Sequence, residues 1–339
     1  MVGDEVSGLI IRRALAAIPT LIVASIIIFA LLIIGGNPLE QLKQNPAFTT
    51  QDVARITKQY GWDKSPFVQY MMWAKDALHG NFGESITAHR PALSMIAERL
   101  PVTLMLTGSS MLLSLLIAIP VGAYVAIKKY SKADYMATFT TFVLMATPSF
   151  FLGLLLQLMA VKLQDMAGGT LVFSTAGAPS CVGSGGGLFH IAFSCMGSPL
   201  EVIKKMTLPV IALSILQIAG WMRYQRSELL NVLNQDYIKS AIAKGLPSKR
   251  VFINHAMRNS LLPIITIVGI DVAMLFSGAV ITEQVFGLPG MGNLLLDSIT
   301  SKDIVVVQAI VLIGAFLVLF FNTIVDILYG VLDPRVRLG

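Results

Sequence analysis

Six stretches of this chain are long enough and apolar enough to cross a lipid bilayer as helices, and that limits the fold before any other residue is considered. A hydrocarbon core of about 30 Å takes about 17–25 helical residues. Ala14–Ile34, Val102–Ile127, Tyr135–Val161, Met206–Met222, Leu261–Thr282 and Ile304–Tyr329 reach that length. Inside lipid each backbone N–H and C=O must be bonded within its own segment, which makes runs of this length helical. Composition agrees. Hydrophobic residues make up 55% of the chain and charged residues 13%, against about 25% charged in soluble domains. The expected fold class is an all-α polytopic membrane protein with six transmembrane helices. The first run follows Arg12 and Arg13 and has the outline of a signal peptide. It is too long for an h-region and no small-residue cleavage site follows, so it reads as a retained anchor. The fourth run is short and holds Pro209.

The net charge of +6 does not point to nucleic acid, because the excess lies beside the apolar runs, where lysine and arginine set topology. With the N-terminus inside, the internal loops hold Arg12 and Arg13, then Lys128, Lys129 and Lys132, then the basic run from Arg223 to Arg258, and finally Arg335 and Arg337. The two shorter external loops hold Lys162, Lys204, Lys205 and Lys302. Both termini are therefore expected in the cytoplasm. This organises the chain as a tail and first span over 1–34, an external cap over 35–101, and a core of five spans over 102–339.

The cap reads as folded helices. Thr50 is placed to cap a helix ending before Gly61, Pro66 suits the first turn of a second, and Pro91 that of a third carrying Leu93, Ile96, Ala97 and Leu100 on one face. His79 and His89 have no cysteine nearby and only scattered carboxylates, so they read as surface histidines and no metal site is expected. The second external loop, 162–205, is glycine-rich and holds both cysteines, Cys181 and Cys195. In an oxidising compartment their pairing is the natural outcome, worth about 3 kcal/mol by loop entropy; two free thiols or a soft-metal site are the alternatives. The Gly185-Gly186-Gly187 run is no phosphate cradle, since no Lys-Ser or Lys-Thr follows it.

One internal loop, 223–260, is unlike the others. From Asp236 to Pro263 it reads DYIKSAIAKGLPSKRVFINHAMRNSLLP, a short helix, a turn at Gly245-Leu246-Pro247 and a second helix. Its pattern D-Y-I-x-x-A-x-A-K-G followed by H-A-x-R-N-x-x-x-P resembles the coupling loop of the membrane permease subunits of ABC importers, peptide/nickel subclass. Ile11-Arg12-Arg13 with Ile18-Pro19-Thr20 is similar to that family's opening, and Asn81-Phe82-Gly83-Glu84-Ser85 to its G-x-S element. Glu283 with Val285-Phe286-Gly287-Leu288-Pro289-Gly290-Met291-Gly292 resembles its external loop, and Val325-Asp326-Ile327-Leu328-Tyr329-Gly330 to Asp333-Pro334-Arg335 its ending. Lys239-Ser240-Ala241 stands where the broader motif has Glu-Ala-Ala, Gly36-Asn37-Pro38 stands for Gly-Asp-Pro, and the 168–197 stretch matches no family element.

The resemblance implies a type I importer permease fold in the prokaryotic cytoplasmic (inner) membrane, working with a second related permease chain, two cytoplasmic ATPase subunits and an external substrate-binding protein. It implies ATPase-coupling residues at Ala241, Ala243, Lys244, Gly245 and Leu246, with peptides or similar small solutes as cargo. The chain carries no G-x-x-x-x-G-K-[ST], H-E-x-x-H or G-x-S-x-G run, so no enzyme activity or cofactor is expected in it; ATP and Mg belong to the partner ATPases. Ionisable groups inside a span usually face protein or water. Asp271, near Thr266 and Ser277, reads either as a pathway-lining carboxylate or as a polar contact to a neighbouring helix. Gln217 faces the lumen or a helix seam, Asp326 reads as structural, and Glu283 as a residue that gates substrate or touches the binding protein. The competing class, an ion-gradient-driven secondary transporter or channel, requires inverted repeats and broken mid-membrane helices and gives the folded basic loop no task.

Overall fold

The computed structural model describes residues 2–34, 43, 49–168, 173–180 and 199–332. Among these every regular element is helical. Helix α1 (Val2–Ile34) leads to two short cap helices, α2 (Thr50–Tyr60) and α3 (Pro66–Leu78). Then come α4 (Ala92–Ile127), α5 (Lys132–Ala146), α6 (Ser149–Met166) and α7 (Pro199–Leu233). The chain continues through α8 (Asp236–Ala243), a single turn α9 (Ser248–Arg250) and a π-helical turn Val251–Met257 into α10 (Arg258–Phe286). Helix α11 (Met291–Thr300) and α12 (Ile304–Leu332) complete it. Five helices carry windows long and apolar enough to cross a membrane, in α4, α6, α7, the α9–α10 segment and α12, and α1 adds the shorter run Leu15–Leu31.

Three expectations differ from what forms. The third cap helix and the second span are one helix, α4, running through Pro101. Proline there removes one backbone bond, but one buried stripe continues across it: Ala92, Ile96, Thr103, Leu106, Ser110, Ser114 and Ala118. Packing along that stripe outweighs the lost bond. The expected span Tyr135–Val161 is instead split into α5 and α6 at Thr147, which is extended (φ −89°, ψ 126°). Pro148 forces this, since the residue before a proline is driven out of the helical region. The cap of α2 is Thr49 rather than Thr50: its hydroxyl accepts from the Asp52 N–H at 3.2 Å, and the Asp52 carboxylate accepts from the Thr49 N–H, a reciprocal capping box.

Helix α7 is the axis of the bundle and packs on α4, α5, α6 and α10, its seam with α4 being the most extensive helix pair. The seam is polar and narrow. Ser114 Oγ donates to the Gln217 side-chain oxygen at 2.8 Å, and Ser214 Oγ to the Ser110 carbonyl at 3.1 Å. Among the small residues of α4, Ser110 and Ser114 are fully buried in this seam, while Gly108 and Ser109 are exposed away from it. The seam ends at a cap pole, where Ala92, Ile96, Met291, Leu294, Val306 and Ile310 form one apolar cluster. The opposite pole, where α8 lies, is built on Ala123, Ala126, Leu229, Ile238, Val251 and Ala256.

Candidate functional site

The loop from Asp236 onward folds as a small amphipathic unit seated on the end of the bundle. Ile238 is 1% exposed and fixes α8 into the cluster of Ala123, Ala126, Leu229, Val251 and Ala256. Ala241 and Leu246 pack at the edge of the same cluster. The Gly245 N–H bonds to the Ile242 carbonyl at 2.9 Å and the Leu246 N–H to the Ala241 carbonyl at 3.4 Å. Together with φ +77° at Gly245 and the inward Leu246, these are the bonds of a Schellman C-cap. The turn expected at Gly245-Leu246-Pro247 forms here, and glycine takes its positive φ at no steric cost.

The two halves of the sequence pattern meet in space. The Asn259 amide donates to the Tyr237 hydroxyl at 2.9 Å, and Ala256 packs beside Ile238. Ser260 Oγ lies 3.0 Å from Gln225 Nε2 on α7, so the α10 entrance is tied to the axial helix. The π-helical turn 251–257 widens the helix by one residue per turn at this junction, a feature that recurs at functional sites.

The candidate coupling residues divide in two. Ala241 and Leu246 face the bundle, whereas Ala243, Lys244 and Gly245 are exposed. Two apolar side chains that the sequence reading did not single out, Tyr237 and Ile242, are 44% and 59% exposed on α8. Helical periodicity gives no signal for Ile242, which stands four residues from buried Ile238 and so shares its side of the helix; the structure alone shows it exposed.

A second device at this pole also escaped the sequence reading. Asp134, in the first turn of α5, receives two parallel bonds from Arg226 of α7, Nε to Oδ1 and Nη2 to Oδ2, each 2.7 Å. The Tyr130 N–H adds a third at 2.8 Å. The Asp134 carboxyl is held below the usual carboxylate range, first by the Arg226 hydrogen bonds, with burial opposing. A bidentate guanidinium–carboxylate pair fixes orientation as well as distance, so α5 and α7 are locked just where α7 passes into α8.

The candidate pathway residues are engaged within the bundle. Trp221 Nε1 of α7 donates to Asp271 Oδ2 at 2.5 Å, so Asp271 makes the helix-to-helix contact that was one of its two readings. Gln217 sits in the α4–α7 seam through Ser114, and its Nε2 is buried without a partner among the described residues. The side chains of Ser277 and Asp326, and the cysteines Cys181 and Cys195, lie outside the described residues.

Glu283 differs most from its expectation. It is 0% exposed, which leaves its carboxylate no surface with which to touch a binding protein. Thr103 Oγ1 of α4 donates to Oε1 at 2.6 Å, and the Asn293 N–H, in the first turn of α11, donates to Oε2 at 3.0 Å. Thr103 Oγ1 also accepts from the Met291 N–H at 2.8 Å. A carboxylate at a helix N-terminus meets unsatisfied N–H groups and the positive end of the helix dipole. Glu283 therefore braces α11 against α4. An added Cβ at Gly290 would lie 2.2 Å from that carboxylate, which is why glycine occurs at that position of the external loop.

The second external motif is braced the same way. Ser85 Oγ and Thr87 Oγ1 donate to Asp303 Oδ2 at 2.5 and 3.0 Å. Asp303 is 1% exposed and precedes α12, so the Asn81–Ser85 element anchors the cap to the last span.

Residues 118–338 match the family described as binding-protein-dependent transport system inner membrane component, and residues 7–107 match its N-terminal companion. The chain is 38% identical over 332 residues to the oligopeptide transport system permease protein AppB of Bacillus subtilis (strain 168), covering 97% of this chain and 98% of that protein. It is 33% identical over 337 residues to the dipeptide transport system permease protein DppB of Escherichia coli (strain K12), covering 97% and 98%. A putative peptide transport system permease protein of Brucella abortus (strain 2308) is 33% identical over 332 residues, covering 98% and 99%.

Proposed function

The chain belongs to the family of binding-protein-dependent transport system inner membrane components, and from that premise we propose that it forms half of a peptide translocation pathway driven by separate ATPase subunits. The observation that carries this is α8: a capped, amphipathic helix seated by Ile238 and turning Tyr237 and Ile242 outward. Two apolar side chains on a basic loop are a surface for a protein partner, and the proposed partner is an ATPase subunit holding ATP and Mg. A second, related permease chain supplies the other half-pathway, and an external binding protein delivers the peptide. The pole carrying α8 and both termini then face the cytoplasm, and the cap faces outward.

Closure of the ATPases would move α8, and α8 moves with α7 and the α10 entrance because Ile238, Tyr237 and Gln225 tie them together. A ligand shifts such an equilibrium only by its differential affinity for the two states, so substrate-loaded binding protein must favour one arrangement of the pair. An ion-gradient-driven transporter would give this exposed apolar helix no task.

The test is reconstitution. The purified chain alone is expected to hydrolyse no ATP. With its cognate ATPases and partner permease it should support hydrolysis that peptide-loaded binding protein stimulates. ATP hydrolysis by the isolated chain, or peptide uptake driven by an ion gradient without ATPases, would overturn the reading.

A further inference from the structure

A cavity of about 160 Å³ opens at the cap pole, between α1, the α2–α3 pair and the start of α12. Aromatic side chains form much of its wall, beside Gln59, Gln69, Met72 and Asn81. Phe29 of α1 and Trp73 of α3 face each other with ring centroids 5.9 Å apart, and Tyr60 stacks on Trp62 at 5.3 Å and 22°. All four line the cavity. Two exposed carboxylates, Asp76 and Glu84, also line it, and among the described residues no lysine or arginine belongs to the lining and neither acid is ion-paired. The far wall carries Gln308 of α12, which is 8% exposed and whose Nε2 has no partner among the described residues.

These features select a ligand chemistry. Aromatic faces carry the negative side of the ring quadrupole and attract organic cations, most strongly where water is excluded. Carboxylates beside them add to that attraction. A metal ion is disfavoured, because a hard cation needs a converging shell of oxygen ligands, and among the described residues no group of three or more His, Cys, Asp or Glu side chains is placed to hold one. The unmet amide donor of Gln308 calls for an anionic or carbonyl oxygen within reach of the cation, since a buried unsatisfied donor is costly. A cation and an acceptor oxygen joined by a short linker describe a zwitterion.

The level of the cavity narrows the source. Phe29 lies near the end of the α1 span and Val305 near the start of α12, so the cavity sits where the apolar spans give way to the polar cap. That is the depth of lipid headgroups, where tryptophan and tyrosine gather.

We propose that this cavity binds a phosphoethanolamine group, its ammonium against the Phe29–Trp73 and Tyr60–Trp62 rings with Asp76 and Glu84 beside it, and a phosphate oxygen taking the Gln308 N–H. The group comes from an outer-leaflet phospholipid or from a soluble ester. This binding is separate from peptide transport and does not depend on it.

Tryptophan emission reads the site directly, because Trp62 and Trp73 line it and the only other tryptophan is Trp221. The full chain in detergent is titrated with dihexanoyl phosphatidylethanolamine, with phosphatidylglycerol of the same chain length, and with glycerophosphoethanolamine. The expected result is a saturable change with the ethanolamine lipid and none with the glycerol lipid. Asp76→Asn and Phe29→Leu, which keep both reporter tryptophans, should each weaken apparent affinity by about five- to tenfold; Glu84→Gln serves if either fails to fold by its helical melt. Equal affinity for glycerophosphoethanolamine assigns binding to the headgroup alone, whereas a response to the lipid only assigns it to the membrane. Equal responses to both lipids, no response to any ligand, or a response untouched by these variants would overturn the proposal.

Discussion

Replacing Gly245 isolates the end of α8 from everything around it. An added Cβ at this position meets nothing within 4 Å, so no clash complicates the result. What remains is conformation. At φ +77° a non-glycine L-residue is strained by about 1–2 kcal/mol, and β-branched side chains suffer most while asparagine tolerates the region. Relief of that strain requires φ to become negative, which breaks the bonds from the Gly245 and Leu246 N–H groups to Ile242 and Ala241. The last turn of α8 then frays and Leu246 leaves the cluster it caps. The spans are built elsewhere, so Gly245→Val should reach the membrane in normal amount. Peptide uptake and co-purification of the ATPases should fall steeply for Gly245→Val, moderately for Gly245→Ala and little for Gly245→Asn. Uptake is measured in intact cells, with membrane abundance by immunoblot. If the valine and asparagine variants behave alike, the left-handed cap is not what the docking helix depends on, and this reasoning fails.

The same surface yields a sharper contrast. Ile242→Asp should abolish ATPase binding in pull-downs while leaving the melting temperature of the chain unchanged. Ala241→Asp should lower both, since Ala241 packs on the bundle, and exposed Lys249→Ala should alter neither. Asp134→Asn should destabilise the chain by about 2 kcal/mol, below the 3–5 for a fully buried pair, because the Arg226 side chain is 26% exposed. The Asp134 carboxyl is depressed when folded, so its contribution is complete above the unfolded value of about 3.9 and is lost as pH falls through the lower folded value. The difference in melting temperature between wild type and Asp134→Asn should therefore be flat from pH 5 to 8 and shrink only below about pH 4; a change across neutral pH would count against the pair. Gly290→Ala should displace α11 from Glu283, read as faster proteolysis after Met291. Cys181 and Cys195 should resist alkylation in denatured protein until a reductant is added.

The sequence made the spans legible because apolar length is a local property, and it made the Gly245 turn legible because one residue type dominates that geometry. It misled where two local rules compete with packing. Pro101 reads as a boundary, yet α4 continues, since the buried stripe from Ala92 to Ala118 is invisible until its partners Met291, Val306 and the α7 seam are in place. Pro148, inside an unbroken apolar run, does end a helix, because Thr147 has no such stripe to hold it helical. The carboxylates were the least legible of all. Asp134 looks like a first-turn acid on a basic loop, and Arg226 is 92 residues away. Glu283 looks like a charge at the mouth of a pathway, yet Thr103 and Asn293 enclose it. Long-range partners decide whether a carboxylate is a site or a brace, and one sequence does not display them.

These braces suggest how motion at one pole can reach the other. Helix α7 has 35 residues, a length of roughly 50 Å at 1.5 Å per residue, with α8 attached at its end. Along that length it is fastened to α4 by the reciprocal Ser110–Ser214 and Ser114–Gln217 bonds. At the α8 pole Arg226 adds α5, and Gln225 adds the entrance of α10. At the cap pole α4 is fastened to α11 through Thr103 and Glu283. A displacement of α8 is therefore delivered to a connected frame rather than to one flexible loop. Cutting the frame at its far end should spare docking and impair transport: Glu283→Ala should keep ATPase binding and basal hydrolysis while losing stimulation by peptide-loaded binding protein. Unimpaired stimulation in that variant would mean that α4 and α11 need not move as one, and that the pathway opens without the far brace.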